Sequence, residues 1–139
     1  MSKVTPFPVL QREPNRQFAE ETARVLQEHA KALNETPLIP RAVVSGTTHT
    51  FREADLNYLV DFTSGSAVAA TVPPDSSVPF AIGSVIHFCQ GGAGQVTISG
   101  GSGVTIRTRP GAKSAGQYAM CSIWKRAVNE WVVFGDVTT

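Results

Sequence analysis

The chain lacks most of the features that mark a catalyst or a membrane protein. It has two cysteines, Cys89 and Cys121, in 139 residues; free buried thiols are the default for such a pair in a cytosolic product. Its three histidines, His29, His49 and His87, lie far apart. No Cys or His pair has metal-ligand spacing such as C-x₂-C or H-x₃-H, so no metal is expected. A net charge of +1 gives no global bias toward nucleic acid or an acidic membrane surface. No apolar run approaches the ~18 residues of a membrane-spanning helix, which argues against membrane insertion, and MSKVTPFPVLQRE has no signal-peptide core. The expectation is a protein made and kept in a cytosol.

Glycine, by contrast, is concentrated. Residues 90–106, QGGAGQVTISGGSGVTI, hold six glycines. A dinucleotide fingerprint needs a third glycine after Gly92 and Gly94, where Gln95, Val96 and Thr97 stand instead. A phosphate loop needs a Lys-Ser/Thr pair and a following helix, and neither is present. GGSGV at 100–104 is no nucleophile elbow, because Val104 replaces the closing glycine. GGAG and GGSG therefore read as turns around the strand QVTIS, with glycine supplying positive φ. No cofactor and no catalytic set is expected, and the chain is not read as an enzyme.

Composition changes near residue 40. Eleven of the first 41 residues are charged, whereas the remainder is rich in Val, Ile, Thr, Ser and Gly. Residues 1–13 read as an extended arm, because Pro6 and Pro8 favour extended backbone. Residues 14–35 read as an amphipathic helix, opened at Pro14 or Asn15 and followed by Pro37 and Pro40. Phe18, Thr22, Val25, His29 and Ala32 follow 4-3-4-3 spacing, with Ala19, Leu26 and Leu33 in an adjoining stripe. That stripe packs on the rest of the chain or on copies of itself. Residues 36–46 read as a linker and 47–139 as a β-domain.

Eight strands are expected there, at 47–51, 57–62, 66–72, 84–89, 95–99, 103–109, 117–124 and 130–134, with a helical turn at READLN, 52–57. Their spacing indicates about eight antiparallel strands in a small β-sandwich or jelly-roll-like domain. Val68, Ala70 and Val72 share one face; Val104, Ile106 and Thr108 share another, with Arg107 and Arg109 opposite. His87 reads as a packed core histidine and His49 as exposed. Arg107, Arg109, Lys113, Lys125 and Arg126 gather near Tyr118, Trp124 and Trp131. They read as a solvated strand face, or as a candidate surface-ligand patch formed by Arg107, Arg109, Trp124 and Trp131.

The β-part also carries an ordered series of motifs. These are Val72-Pro73-Pro74, Gly83 to Ile86, Gln90 to Thr97, Gly101 to Ile106, Gln117-Tyr118, Lys125, Asn129 to Trp131, and Gly135-Asp136. Over residues 47–136 this series resembles a module of tailed-bacteriophage structural proteins, seen in tail fibres, minor tail proteins and head-fibre or decoration proteins. The resemblance brings no catalytic residues. It implies a virion component assembled in the host cytoplasm, a homo-oligomer with a trimer favoured. Its partners would be capsid, collar or tail proteins. The resemblance does not extend to residues 1–40; on the appendage reading Phe7, Val9 and Leu10 are expected to dock the arm on such a partner. Phe18, Val25, Leu26, His29 and Leu33 would make contacts between subunits. Three roles remain open: a fibre- or spike-like appendage for host attachment, a capsid decoration protein, and a binder of host surface glycan.

Overall fold

A computed structural model describes residues 19–26 and 38–139, and the chain divides into two compact units, Met1–Leu38 and Ile39–Thr139. In the first unit residues 19–26 are helical and exposed, with Val25 and Leu26 among the large exposed apolar side chains. Phe7, Val9, Leu10, Phe18, His29 and Leu33 lie outside the described residues, and with them the expectations placed on the arm and most of the helix.

The second unit is mainly β. Among the described residues it has β1 (Arg41–Val44), β2 (Thr48–Thr50), β3 (Leu59–Phe62), β4 (Val68–Val72), β5 (Val85–Gln90) and β6 (Val96–Gly100). There follow β7 (Thr105–Thr108), β8 (Lys113–Ser114), β9 (Met120–Ala127), β10 (Glu130–Gly135) and β11 (Val137–Thr138). The eight expected strands correspond to β2 to β7, β9 and β10, and READLN contains a 3₁₀ turn at Glu53–Asn57. Strand β1 falls inside the stretch expected as linker. Strands β8 and β11 have two residues each, too few to show any alternation.

The strand partners differ from the antiparallel expectation. One sheet has the order β1-β3-β5-β9-β10-β7 and the other β11-β8-β6-β4-β2. From β1 to β6 the chain alternates between sheets, so β1, β3 and β5 run parallel in one, and β2, β4 and β6 parallel in the other. This is a solenoid-like coil. Strand β7 also lies parallel, beside β10. Antiparallel pairing enters where β9 joins β5 and β10 joins β9, and where β8 and β11 extend the second sheet. Alternation identifies a strand but not the direction of its neighbour, which depends on whether the connecting turn returns along one sheet or crosses to the other.

The last turn of the coil is in even register, unlike the first, where Arg41 pairs with Leu59 and Thr48 with Ala69. Leu59 pairs with His87 and Phe62 with Gln90, then Val68 with Val96 and Val72 with Gly100. The offset is 28 residues on both sides of the corner. TSGS and GGAG are the two stacked corners: the Gly92 amide donates to the Phe62 carbonyl and the Gly94 amide to the Ser64 carbonyl, both at 2.9 Å. A Cβ on Gly94 would lie 1.8 Å from the Ser66 carbonyl oxygen, and one on Gly92 2.3 Å from that of Ser64. These glycines permit close backbone approach, and the positive φ expected of the glycine turns is found at Gly103, φ 79°.

The core lies between the two sheets. Val68, Ala70, Val72, Val96 and Ile98 come from one, and Val60, Phe62, Ile86, Phe88, Ile123, Trp131 and Val133 from the other. Phe51, Phe62 and Phe88 form its aromatic centre, with ring centroids 6.0–6.4 Å apart. Such pairs add about 0.5–1.5 kcal/mol beyond their area burial.

Candidate interaction surface

Side chains alternate across each strand, so the buried set fixes which residues point outward. On the β2–β4–β6–β8–β11 sheet the outward rows are Thr48, Ala69, Thr97, Lys113 and Thr138, then Thr50, Thr71 and Ser99. That face is small, polar and rich in hydroxyls. The outer face of the other sheet is not. On the six-stranded sheet one outward row runs Val85, Trp124, Val132 and Arg107. A second runs Arg41, Leu59, His87, Ser122 and Phe134, and a third Val43, Asp61, Cys89 and Met120. Val43, Met120, Phe134 and Trp124 are exposed by 54%, 51%, 45% and 38%.

Charge lies within these rows as well as at their ends: Asp61 stands between Val43 and Cys89, and one carboxylate, Glu130, serves two arginines. The Arg41 guanidinium donates to Asp61 at 2.5 Å. Arg107 and Arg126 both donate to Glu130, at 3.3 and 2.6 Å. The Arg126 bond foremost, aided by that from Arg107 and by both charges, holds the Glu130 carboxyl below its ordinary range.

The expected ligand patch is only partly assembled. Arg107 and Trp124 share a row through Val132, and Arg109 is exposed in the loop after β7. Trp131 has no exposed surface; it packs edge-on to Phe80 with centroids 5.2 Å apart. It cannot belong to a surface patch, because its position in β10 has inward parity. Lys125 leaves the basic cluster for the same reason. It is 1% exposed and donates to Asp75 at 2.8 Å and to the Phe80 carbonyl at 2.5 Å.

The histidines also differ from expectation. His87 is half-buried on the outer face, 2.6 Å from the Ser122 hydroxyl, and is no core residue. His49 points inward against Phe51 and Phe62, and its Nε2 lies 2.9 Å from a carboxylate oxygen of buried Asp55. Burial alone would raise the Asp55 pKa. The His49 hydrogen bond, the Arg52 amide and the neighbouring charges of His49 and Arg52 together lower it. The Asp in READLN and the His in THT were visible in the sequence, but only the corner between β2 and the 3₁₀ turn brings them together.

Both thiols are free, and their strands pair so that Cys121 stands opposite Phe88 and Cys89 opposite Met120. Burial, reinforced by the Asp136 charge, pushes Cys121 up to about 11. Burial followed by the Asp61 charge raises Cys89.

The ordered motifs meet in space at two structural corners. At one, Asp75 after the double proline binds Lys125, and its amide donates to the Asn129 side chain at 2.8 Å. Gly101 donates to the Val72 carbonyl, and Thr105 to that of Asn129. At the other, the Gln117 side chain donates to the Gly91 carbonyl and the Tyr118 amide to that of Gln90. The motif residues tie turns together. No family model matches the chain, and no curated protein and no solved structure matches it.

Proposed function

We propose that the protein is a non-enzymatic structural component of a tailed-phage virion, a short fibre- or spike-like appendage. Its arm and helix, residues 1–35, attach it to another virion protein, and its β-domain projects outward. The observation that carries this reading is the set of exposed apolar side chains, Val43, Met120, Trp124 and Phe134, on the outer face of the six-stranded sheet. Exposed aromatic and Met side chains of this kind suit contact with protein. The motif resemblance supports the same reading, because its residues act as turn and packing elements.

Electron microscopy of particles labelled with antibody to the β-domain tests the proposal. Label on the tail or on projecting fibres is the expected result. Label spread over the head would assign a decoration role instead, and purified virions without the protein would overturn the proposal.

A further inference from the structure

We propose that the outer face of the six-stranded sheet, on its β9–β10–β7 side, binds single-stranded nucleic acid. The inference goes beyond attachment to a particle, and it holds or fails in the purified protein.

Three observations select this ligand. The first is the distribution of charge. A net charge of +1 conceals a segregation, because residues 76–129 hold five Lys or Arg and no Asp or Glu. The fold sorts these five. Lys125 is buried against Asp75, and Lys113 stands in an outward row of the other sheet. Arg107, Arg109 and Arg126 remain together on the β9–β10–β7 side, all exposed. Arg107 and Arg126 share a single Glu130 oxygen, and the exposed Asp136 follows the far end of β10. Three guanidiniums against two carboxylates leave a positive surplus. Guanidinium is also the side chain best shaped to hold a phosphate through two parallel hydrogen bonds.

The second observation is the pair of rings beside this charge. Trp124 and Phe134 are both exposed on the same face. Trp124 stands opposite Val132, two residues before Phe134, so the two are diagonal neighbours about 7–8 Å apart. Arg107 flanks Val132 from the other side, and Arg109 follows it by two residues, roughly 7 Å further along an extended chain. A strip of rings and a strip of guanidiniums thus run side by side with similar spacing, comparable with one extended nucleotide. Bases stack on the rings while phosphates lie along β7, an arrangement that tolerates any sequence because every base has a flat face. Duplex DNA keeps its bases inside the stack, and an acidic polypeptide brings charge without flat rings. A single strand uses both strips.

The third is access. Strand β7 ends the six-stranded sheet, so a phosphate backbone approaches Arg107 and Arg109 from a side that no further strand of that sheet occupies.

The test is fluorescence anisotropy of labelled oligo(dT) titrated with the purified full chain over a series of salt concentrations. Tryptophan fluorescence is followed in parallel with unlabelled oligo(dT). Affinity should fall with salt at a log–log slope of roughly −1.4 to −2, for two or three phosphates contacted. Trp124 should be quenched, whereas buried Trp131 should not respond. Arg107→Gln with Arg109→Gln should make the slope shallower by about 1.4. Trp124→Ala should weaken binding about tenfold with the slope unchanged, and Trp124→Phe should retain most of the affinity. Lys113→Gln, on the other sheet, should alter neither. Circular dichroism establishes that the variants are folded, and the wild-type slope and quenching need no variant. Absence of binding at low salt would overturn the proposal, as would binding that leaves Trp124 unquenched. Equal affinity for duplex DNA would overturn it too. Displacement of oligo(dT) by poly-L-glutamate at equal charge would assign the patch to an acidic protein instead.

Discussion

Asp55 shows how one carboxylate can govern a corner of the fold. It is almost fully buried and accepts hydrogen bonds from His49 and the Arg52 amide. Its folded pKa is depressed, so the unfolded chain takes up a proton at higher pH than the folded chain does. The resulting stability is complete above the unfolded value near ~3.9 and is lost as pH falls through the folded value. Acid titration followed by circular dichroism should therefore show part of the unfolding below about pH 4. Asp55→Asn should flatten that part of the curve. His49→Ala should move acid unfolding to higher pH and cost about 1–3 kcal/mol at neutral pH, since it leaves a buried oxygen short of a partner. An unchanged acid transition in both variants would remove Asp55 from this role. Lys125 and Trp131 carry a related lesson: residue type suggested a surface patch, and strand parity placed both inside.

At the scale of elements, the stacked corners join the two sheets. Gly94→Ala would force a methyl group against the Ser66 carbonyl, a backbone atom that cannot rotate away. The expected cost is about 1–3 kcal/mol, read as a thermal midpoint several degrees lower. Gly65, in the corner stacked against it, has nothing within 4 Å of an added Cβ, so Gly65→Ala should be neutral or slightly stabilising. Equal losses at the two positions would show that the close approach is not what demands glycine. The eight expected strands were legible because their inward Val, Ile and Phe residues recur with period two. The parallel pairing was not, because TSGS and GGAG have the composition of hairpin turns whether the chain doubles back or crosses to the facing sheet. Strand β1, RAVV, was hidden by its neighbours Pro40 and Gly46, which give the stretch the look of a linker. The candidate surface was legible only in part: Trp124 and Arg107 were visible, whereas Met120, Phe134 and Val43 join them only once β1, β9 and β10 share a sheet.

At the scale of the whole molecule, the proposed attachment segment and the packed core come from different parts of the sequence. Among the described residues, the core and the partly buried residues packed on it run from Val44 to Val137, within the unit Ile39–Thr139. The proposed docking residues Phe7, Val9 and Leu10 lie far earlier in the chain. Removing residues 1–13 should accordingly leave the thermal unfolding of the β-unit within about 0.5 kcal/mol of the full chain, since changes away from packed or strained positions stay in that range. The same deletion should abolish incorporation into particles, measured by immunoblot of purified virions from a complementation assay. Normal incorporation of the deletion would sink the docking role of the arm while leaving the sheet surface untouched. Loss of folding on deletion would show instead that the first thirteen residues help to hold the β-unit together.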